Sequence, residues 1–425
     1  MASAILTIFL ALMALSVPVA IAIGLASVLG VQFFTNSPML VVPQQLFTSV
    51  DKFPLVAIPF FILSGNLMEA GGISDRLVHF ARSLVGGVQG GLAMSCVVTC
   101  MIFAAVSGSS VATTFAIGAI LIPSMVRLGY PVTRAAALQA SSAELGVIIP
   151  PSIPMILYGV SAEVSIGELF IAGFGPGLLI GAALIAFAYA WCKITGHGKR
   201  DSEGRLPISV AARQAWLALL MPVIVLGGIY GGIFTPTEAS VIAVFYALIV
   251  GMFVYRRITI ADLGRVLHKS VVSTTVIVFI IATAGLFAFL ISRAGVPTQI
   301  GNWIVANFST PLTFLLGVNV FLFLIGMFIE TGAAIVILAP ILAPVAAHFG
   351  VDPVHFGIIM VVNLALGMIT PPFGVNLFAA CAVAKISYDR IIPSILPYVV
   401  VVTSCLALIT AMPGISLWLR DLVYR

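Results

Sequence analysis

The sequence predicts an all-α polytopic membrane protein built from two inverted-topology repeats, each with a re-entrant helical hairpin and a broken transmembrane helix. Three observations carry this. The 425 residues are 61% hydrophobic and only 8% charged, with a mean hydropathy of +1.22, whereas a soluble domain carries about 25% charged residues. Apolar runs of membrane-spanning length recur from end to end. A short phrase also occurs twice, 221 residues apart, as Gly146-Val-Ile-Ile-Pro-Pro151 and Gly367-Met-Ile-Thr-Pro-Pro372. Two adjacent prolines donate no N–H and clash with the preceding turn, so neither copy can sit in an unbroken helix.

Taken in order, the first apolar run is read as a membrane segment and not a signal peptide, because it lacks a basic leader and continues into further apolar sequence. The repeat extends beyond the Pro-Pro phrase: Pro123 matches Pro344 at 221, Pro18 matches Pro236 at 218, and Gly71 matches Gly295 at 224. Each half then reads as two helices around a Pro turn, a connector, another helix, an amphipathic stretch, a long apolar hairpin, a broken helix and a final helix. Residues 1–87 give the scaffold helices and arm of repeat 1. Residues 88–192 hold its hairpin (88–125) and broken helix (about 131–160). The polar linker is 193–213, and 214–308 repeats the scaffold and arms. Residues 309–413 hold the second hairpin (312–348) and broken helix (about 354–384), and 414–425 form a tail.

Loop charges set the orientation. The linker carries Lys193, Lys199, Arg200, Arg205 and Arg213 and is placed in the cytoplasm. Counting outward puts fifteen of the nineteen Lys and Arg residues on that side, leaving Lys52, Arg293, Arg420 and Arg425 outside. The balance holds only if 88–125 and 312–348 enter and leave on one side, the first from the cytoplasm and the second from the periplasm. Two ordinary spans in each place would break it. Both termini are then periplasmic. Stretches 73–83, 258–269 and 294–306 mix charge or polarity with apolar residues at helical spacing and are read as interfacial helices.

The candidate site lies at the hairpin tips and the breaks. The first tip reads Val106-Ser-Gly-Ser-Ser-Val-Ala-Thr113 and the second Phe328-Ile-Glu-Thr-Gly-Ala-Ala334. Each brings hydroxyls and a glycine to the middle of an apolar hairpin, where glycine lets the backbone expose its polar groups. Broken helices at matching positions of two halves mark the binding site of a secondary transporter. Carbonyls freed at the breaks suit a small hard cation, and half-helix N-termini suit a carboxylate. The sodium-binding candidates are Ser107, Gly108, Ser109, Gly146, Pro150, Glu330, Thr331, Gly332, Thr370, Pro371 and Gly374. The substrate-binding candidates are Ser109, Ser110, Ser152, Thr331 and Asn376. One cation site per half predicts at least two sodium ions and no other cofactor. Ser-Gly-Ser-Ser also suits a close helix contact in lipid, and Thr370 and Asn376 also suit the satisfaction of broken backbone. Glu144 and Glu330 are ionisable at membrane depth, a costly placement that marks function; Glu144 either pairs locally or faces a water-filled crevice. Glu238 follows a Pro turn and reads as a helix-start acid.

Composition excludes other classes. The net charge of +5 belongs to headgroup-facing loops and not to nucleic-acid binding. Cys96, Cys100, Cys192, Cys381 and Cys405 show no metal-type clustering, and the five histidines fall in loops, arms or segment ends. No mid-membrane Ser–His pair or ligand cluster supports an enzyme. A channel calls for a continuous pore and a repeated filter, whereas paired inverted breaks favour alternating access. Proton coupling would require Glu144 or Glu330 to titrate; carbonyl-and-hydroxyl sites suit sodium better.

Val17-Pro18, the Ser-Gly-Ser-Ser tip, Ile149-Pro-Pro-Ser152 and Thr370-Pro-Pro-Phe-Gly374 together resemble the large M subunit of the tripartite ATP-independent periplasmic (TRAP) transporters, over essentially the whole chain. The resemblance implies an ion-transporter superfamily fold of elevator type in the bacterial inner membrane. It implies sodium-driven uptake of an organic acid handed over by a periplasmic substrate-binding protein (P), and a small four-helix Q subunit. Because the chain begins at the M pattern, Q is expected as a separate polypeptide. The sequence is similar to the sialic-acid branch; C4-dicarboxylates and other sugar acids are the alternatives, because no residue encodes the choice.

Overall fold

In the computed structural model, residues 2–198 and 206–424 are described; Lys199, Arg200, Arg205 and Arg425 lie outside the described residues. No strand occurs among the described residues. The first half contains α1 (Ala2–Ala14), α2 (Val19–Phe34), α3 (Val41–Val50), α4 (Ala57–Ala70), α5 (Ile73–Val85), α6 (Gly91–Ser107), α7 (Ser110–Arg127), α8 (Val132–Ala143), α9 (Leu145–Ile148), α10 (Ile153–Ala162), α11 (Ile166–Ala172) and α12 (Phe174–Thr195). The second contains α13 (Ile208–Tyr230), α14 (Pro236–Ile249), α15 (Ile260–Arg293), α16 (Val296–Asn307), α17 (Pro311–Gly326), α18 (Thr331–His348), α19 (Pro353–Met368), α20 (Val375–Ala384), α21 (Tyr388–Ala411) and α22 (Gly414–Tyr424). Eight helices among the described residues are long and apolar enough to cross a membrane. The protein is a multi-pass membrane protein.

Chain lengths explain how each tip meets a break. Helix α7 has 18 residues, and α8 with α9 returns over residues 132–148 after a turn at 128–131. At 1.5 Å per residue both runs are about 26 Å long, so the break at 149–152 comes level with the tip at 107–110. The second half repeats the arithmetic: 18 residues in α18, a turn at 349–352, then 16 residues in α19 before the break at 369–374. Each of these arms approaches the thickness of a bilayer's hydrocarbon core. The turns hold the tips at the breaks regardless. The first broken helix bends by 42° between α8–α9 and α10. Both Pro-Pro bonds, Pro150–Pro151 and Pro371–Pro372, are cis.

Packing between the halves comes in matched pairs. Helix α4 lies on α14 and α2 on α15, while α7 lies on α20 and α10 on α18. Small residues permit the closest of these approaches: a Cβ on Gly71 would sit 3.4 Å from the Gly251 Cα, and one on Gly24 would sit 3.0 Å from Thr283 Cγ2. Residues 135–143 of α8, all of α9 and 354–368 of α19 are buried. The broken helices thus form the core, and broken backbone is kept from lipid. The outer helices instead turn large apolar side chains outward, among them Phe33, Val223, Phe245 and Val400.

Two expectations about the arms change. Residues 258–269 are not a separate interfacial helix; from Ile260 they are the first turns of the 34-residue α15, which starts at a Thr259/Asp262 capping box. The change of polarity after Lys269 brings no proline, so nothing stops helix propagation. The tail from 414 is also helical and packs across α11, α12 and α19. By contrast, 73–83 lies within the single helix α5 and is amphipathic: Ile73, Leu77, Val78 and Ala81 are buried, while Asp75 and His79 are exposed. Glu238 completes a capping box with Thr235 at the start of α14, its Oε2 accepting from the Thr235 N–H and hydroxyl.

Arg420 is buried in this tail helix. It donates to Asp352 Oδ2 at 2.7 Å and to Asp421 Oδ1 at 2.6 Å, and lies 3.8 Å from Glu168. Asp352 also caps α19, accepting from the Val354 and His355 N–H groups. Burial raises the Asp352 carboxyl, but the Arg420 hydrogen bond and the two N–H groups outweigh it and hold the group below the usual carboxylate range. One guanidinium thus joins α11 of the first half to α19 of the second. Arg420→Gln is expected to destabilise the protein by about 2 kcal/mol, less than a fully dry pair would lose, because the carboxylates are partly exposed. A depressed Asp352 stabilises the fold above its unfolded value and loses that contribution as pH falls below about 4. Melting curves of wild type should steepen in that acid range, while Asp352→Asn, which keeps the cap, should flatten the dependence.

Candidate functional site

The first tip is a small hydroxyl circuit. Gly108 takes a left-handed conformation (φ 62°) that ends α6, and Ser109 caps α7 by accepting from the Ala112 N–H. Ser107 Oγ and Thr113 Oγ1 are 2.9 Å apart, and Thr113 Oγ1 donates to the Ser109 carbonyl at 2.7 Å. The break of the same half closes on this circuit. A Cβ on Gly146 would lie 2.8 Å from both the Ser109 carbonyl oxygen and Thr113 Oγ1. One on Gly108 would lie 2.9 Å from the Pro151 carbonyl oxygen. The Ile153 N–H donates to the Gly108 carbonyl at 3.4 Å. Gly146 and Gly108 thus let the break pack directly on an oxygen-lined cradle at the first tip, an approach that any side chain at either position would obstruct.

The second tip is built differently. Glu330 caps α18, its Oε2 accepting from the Ala333 N–H at 3.1 Å, and the fully buried Thr331 hydroxyl points at Met368 Sδ, 2.9 Å away. Gly326 and Gly367 bring α17 and α19 into backbone contact. A Cβ on Gly332 would meet Leu157 Cδ1 at 2.9 Å, so this tip also faces α10 of the other half.

A cavity of about 70 Å³ joins the tips. It is lined by Gly108, Ser109 and Ser110 from the first, Glu330 and Gly332 from the second, and Ile277, Ile280 and Ile281 of α15. A larger cavity of about 500 Å³ shares Ser109, Val111, Ile153 and Ile277 with it and widens between α4, α15 and the first hairpin. That volume suits a small organic molecule. Ser107 lines the larger cavity as well, and the remaining candidates lie off both. Ser152 Oγ donates to the Val147 carbonyl and accepts from the Met155 N–H, so it satisfies the broken helix. Thr370 Oγ1 donates to the Leu366 carbonyl of its own helix. Pro150, Pro371 and Gly374 stay with the two breaks, Gly374 opening α20 at φ 55°.

Asn376 is fully buried where the halves cross. Its amide donates to Glu144 Oε1 at 2.7 Å and to the Ala140 carbonyl at 3.2 Å, and accepts from Thr114 Oγ1 at 2.6 Å. Glu144 therefore pairs with the opposite repeat. The sequence reading singled out both residues but not their meeting, since 232 positions separate them. It also missed Asn363, whose amide donates to Asn319 Oδ1 at 2.6 Å between α19 and α17; a lone Asn in an apolar run was the available signal. All five cysteines are free and buried. Among the described residues no group of three or more His, Cys, Asp or Glu side chains could hold a metal ion.

Two hairpin tips set against two broken helices, with a cavity between them, define a secondary-transporter membrane domain. The sequence matches the family described as "Tripartite ATP-independent periplasmic transporter, DctM component" over residues 6–415, and the chain belongs to that family as a large permease subunit. It is not an enzyme. It is 42% identical to the C4-dicarboxylate TRAP transporter large permease protein DctM of Pseudomonas aeruginosa, over 94% of this chain and 93% of that one. Identity to the sialic acid permease SiaM of Vibrio cholerae is 37%, over 89% of each chain. The isethionate permease DctMQ of Oleidesulfovibrio alaskensis is 43% identical over 96% of this chain, which spans 65% of that protein's length. The fold is similar to that of the Alcanivorax borkumensis YdaH transporter (TM-score 0.65, 16% identity, 88% of this chain and 87% of that one). Neisseria gonorrhoeae MtrF is a second structural relative (TM-score 0.57, 14% identity, 92% and 93% covered).

Gly146→Ala should drive a methyl group into the Ser109–Thr113 cradle, at an overpacking cost of about 1–3 kcal/mol. Sodium-dependent uptake should fall at least tenfold, with the sodium half-saturation raised. Gly227→Ala, where the new Cβ meets nothing within 4 Å, should leave both unchanged.

Proposed function

We propose that this subunit is the sodium-coupled permease of a tripartite uptake system for a small organic acid. The observation that carries the reading is the closure of the first tip on its own break around Gly146, with carbonyl and hydroxyl oxygens at 2.8 Å from the space a side chain would fill. Sodium bound there, and at the second tip around Thr331, Gly332 and Thr370, would be the co-transported ion, with at least two per cycle. The acid would lie between the tips, where Ser109 and Ser110 meet Glu330 and Gly332. An elevator fits the arrangement. Residues 88–192 and 309–413 would move as one body, and α1–α4 with α13–α15 would hold still. A body loaded with only some of its ligands would leave polar backbone unsatisfied at membrane depth, which disfavours its crossing.

The partners are a four-helix Q subunit in the inner membrane and a periplasmic protein that delivers the acid, with both termini of this chain on the periplasmic side. Sialic acid is the first substrate to test. C4-dicarboxylates and other sugar acids are the alternatives, and the relatives named for C4-dicarboxylates, sialic acid and isethionate all handle acid anions. The test is reconstitution of the chain with its Q and binding-protein partners in liposomes, followed by uptake of labelled sialic acid and succinate under an imposed sodium gradient. Uptake that needs both sodium and the binding protein is expected. Uptake driven by a proton gradient alone would overturn the carbonyl-site reading.

A further inference from the structure

The cavity of about 500 Å³ has two ionisable side chains in its lining, Glu69 on α4 and Lys269 on α15. They pair at 2.9 Å with side chains 33% and 57% exposed, so the contact stands in the wet mouth of the cavity. An ion pair that exposed is weak and exchanges readily with solvent and solutes. Behind it, the Asn66 amide donates to Ser270 Oγ at 2.9 Å, a neutral tie that holds α4 to α15 whether or not the ion pair is made. From Lys269 the lining runs down one face of α15 at four-residue spacing, through Ser273 and Ile277 to Ile281 in the chamber between the tips. Twelve residues of helix span about 18 Å. A single cation, paired with Glu69, thus stands at the mouth of a route that carries no further ionisable side chain until Glu330 in the chamber of the proposed acid site.

We infer that Lys269 selects the charge of what passes through this vestibule. It takes the acid group of the cargo, a carboxylate or sulfonate, and Glu69 competes for the same ammonium so that the cargo is not retained. This rests on the acid-transport reading above. A free ammonium would attract anions and hold them, and a neutral mouth would neither attract nor discriminate. A paired but exposed one attracts an incoming anion while offering it a competitor.

The test separates this inference from that reading. Ser273→Cys places a thiol just below the pair, where its reaction rates with an anionic and a cationic methanethiosulfonate reagent report the local charge without any cargo. Lys269→Gln should lower the anionic-to-cationic rate ratio about tenfold, Lys269→Arg should restore it, and Glu69→Gln should raise it roughly threefold. In the liposome system, Lys269→Gln should raise the half-saturation for acid entering from the cavity side with little change in maximal rate. Glu69→Gln should lower both. A rate ratio indifferent to Lys269→Gln, or to Glu69→Gln if the first variant fails to fold, would overturn the proposal. If wild type carries neither sialic acid nor succinate, the substrate reading suffers while the reagent ratio still decides the role of Lys269.

Discussion

The structure depends on one constraint: backbone broken inside a membrane must have its polar groups satisfied by protein, water or ligand. Each Pro-Pro pair breaks a helix at depth, and each break is answered by a hairpin tip brought to its level. Ser152 fills part of the need by bonding Val147 and Met155 across the first break, and the Gly108 carbonyl takes the Ile153 N–H. The oxygens facing Gly146 are held by the tip's own bonds, Thr113 Oγ1 donating to the Ser109 carbonyl and lying 2.9 Å from Ser107 Oγ. The tip thus orients its carbonyl and hydroxyl oxygens toward the break while satisfying them internally.

The rest of the architecture keeps that arrangement in register. Matched contacts between halves, α7 on α20 and α10 on α18, place each hairpin against the other half's broken helix as well as its own. The Thr114–Asn376–Glu144 chain of hydrogen bonds runs through one of these crossings, and the opposite crossing, at Gly332 and Leu157, is apolar. The halves are therefore alike in backbone and different in chemistry. Away from the tips, the buried Arg420 ties the first half to the second at the cap of α19, where two helix N–H groups and a guanidinium share a single carboxylate.

Much of the fold was legible because prolines, glycines and apolar length are local signals. Helices end and restart at 107–110 and 326–331, where the sequence put the tips, and break at both Pro-Pro pairs, and α14 starts at the expected Pro turn. The arms were less legible. The start of α15 looked like a separate interfacial helix because composition changes at Lys269, although helix continuity depends on backbone breakers and none lies there. The tail helix α22 gave little warning because its stabilising contacts come from Glu168 and Asp352, remote in the chain.

Composition and the doubled Pro-Pro phrase by themselves determined a membrane protein with two broken helices and two polar tips, since a proline's missing N–H acts whatever surrounds it. Only the tertiary structure decided which polar groups meet. Ser109, Ser110, Glu330 and Gly332 share a chamber, whereas Asn376 turns from the chamber to Glu144 and Thr370 to its own helix. The reason is physical. A hydroxyl or amide at membrane depth takes whichever partner the packing brings within about 3 Å, and packing between residues more than two hundred positions apart is not written in either neighbourhood.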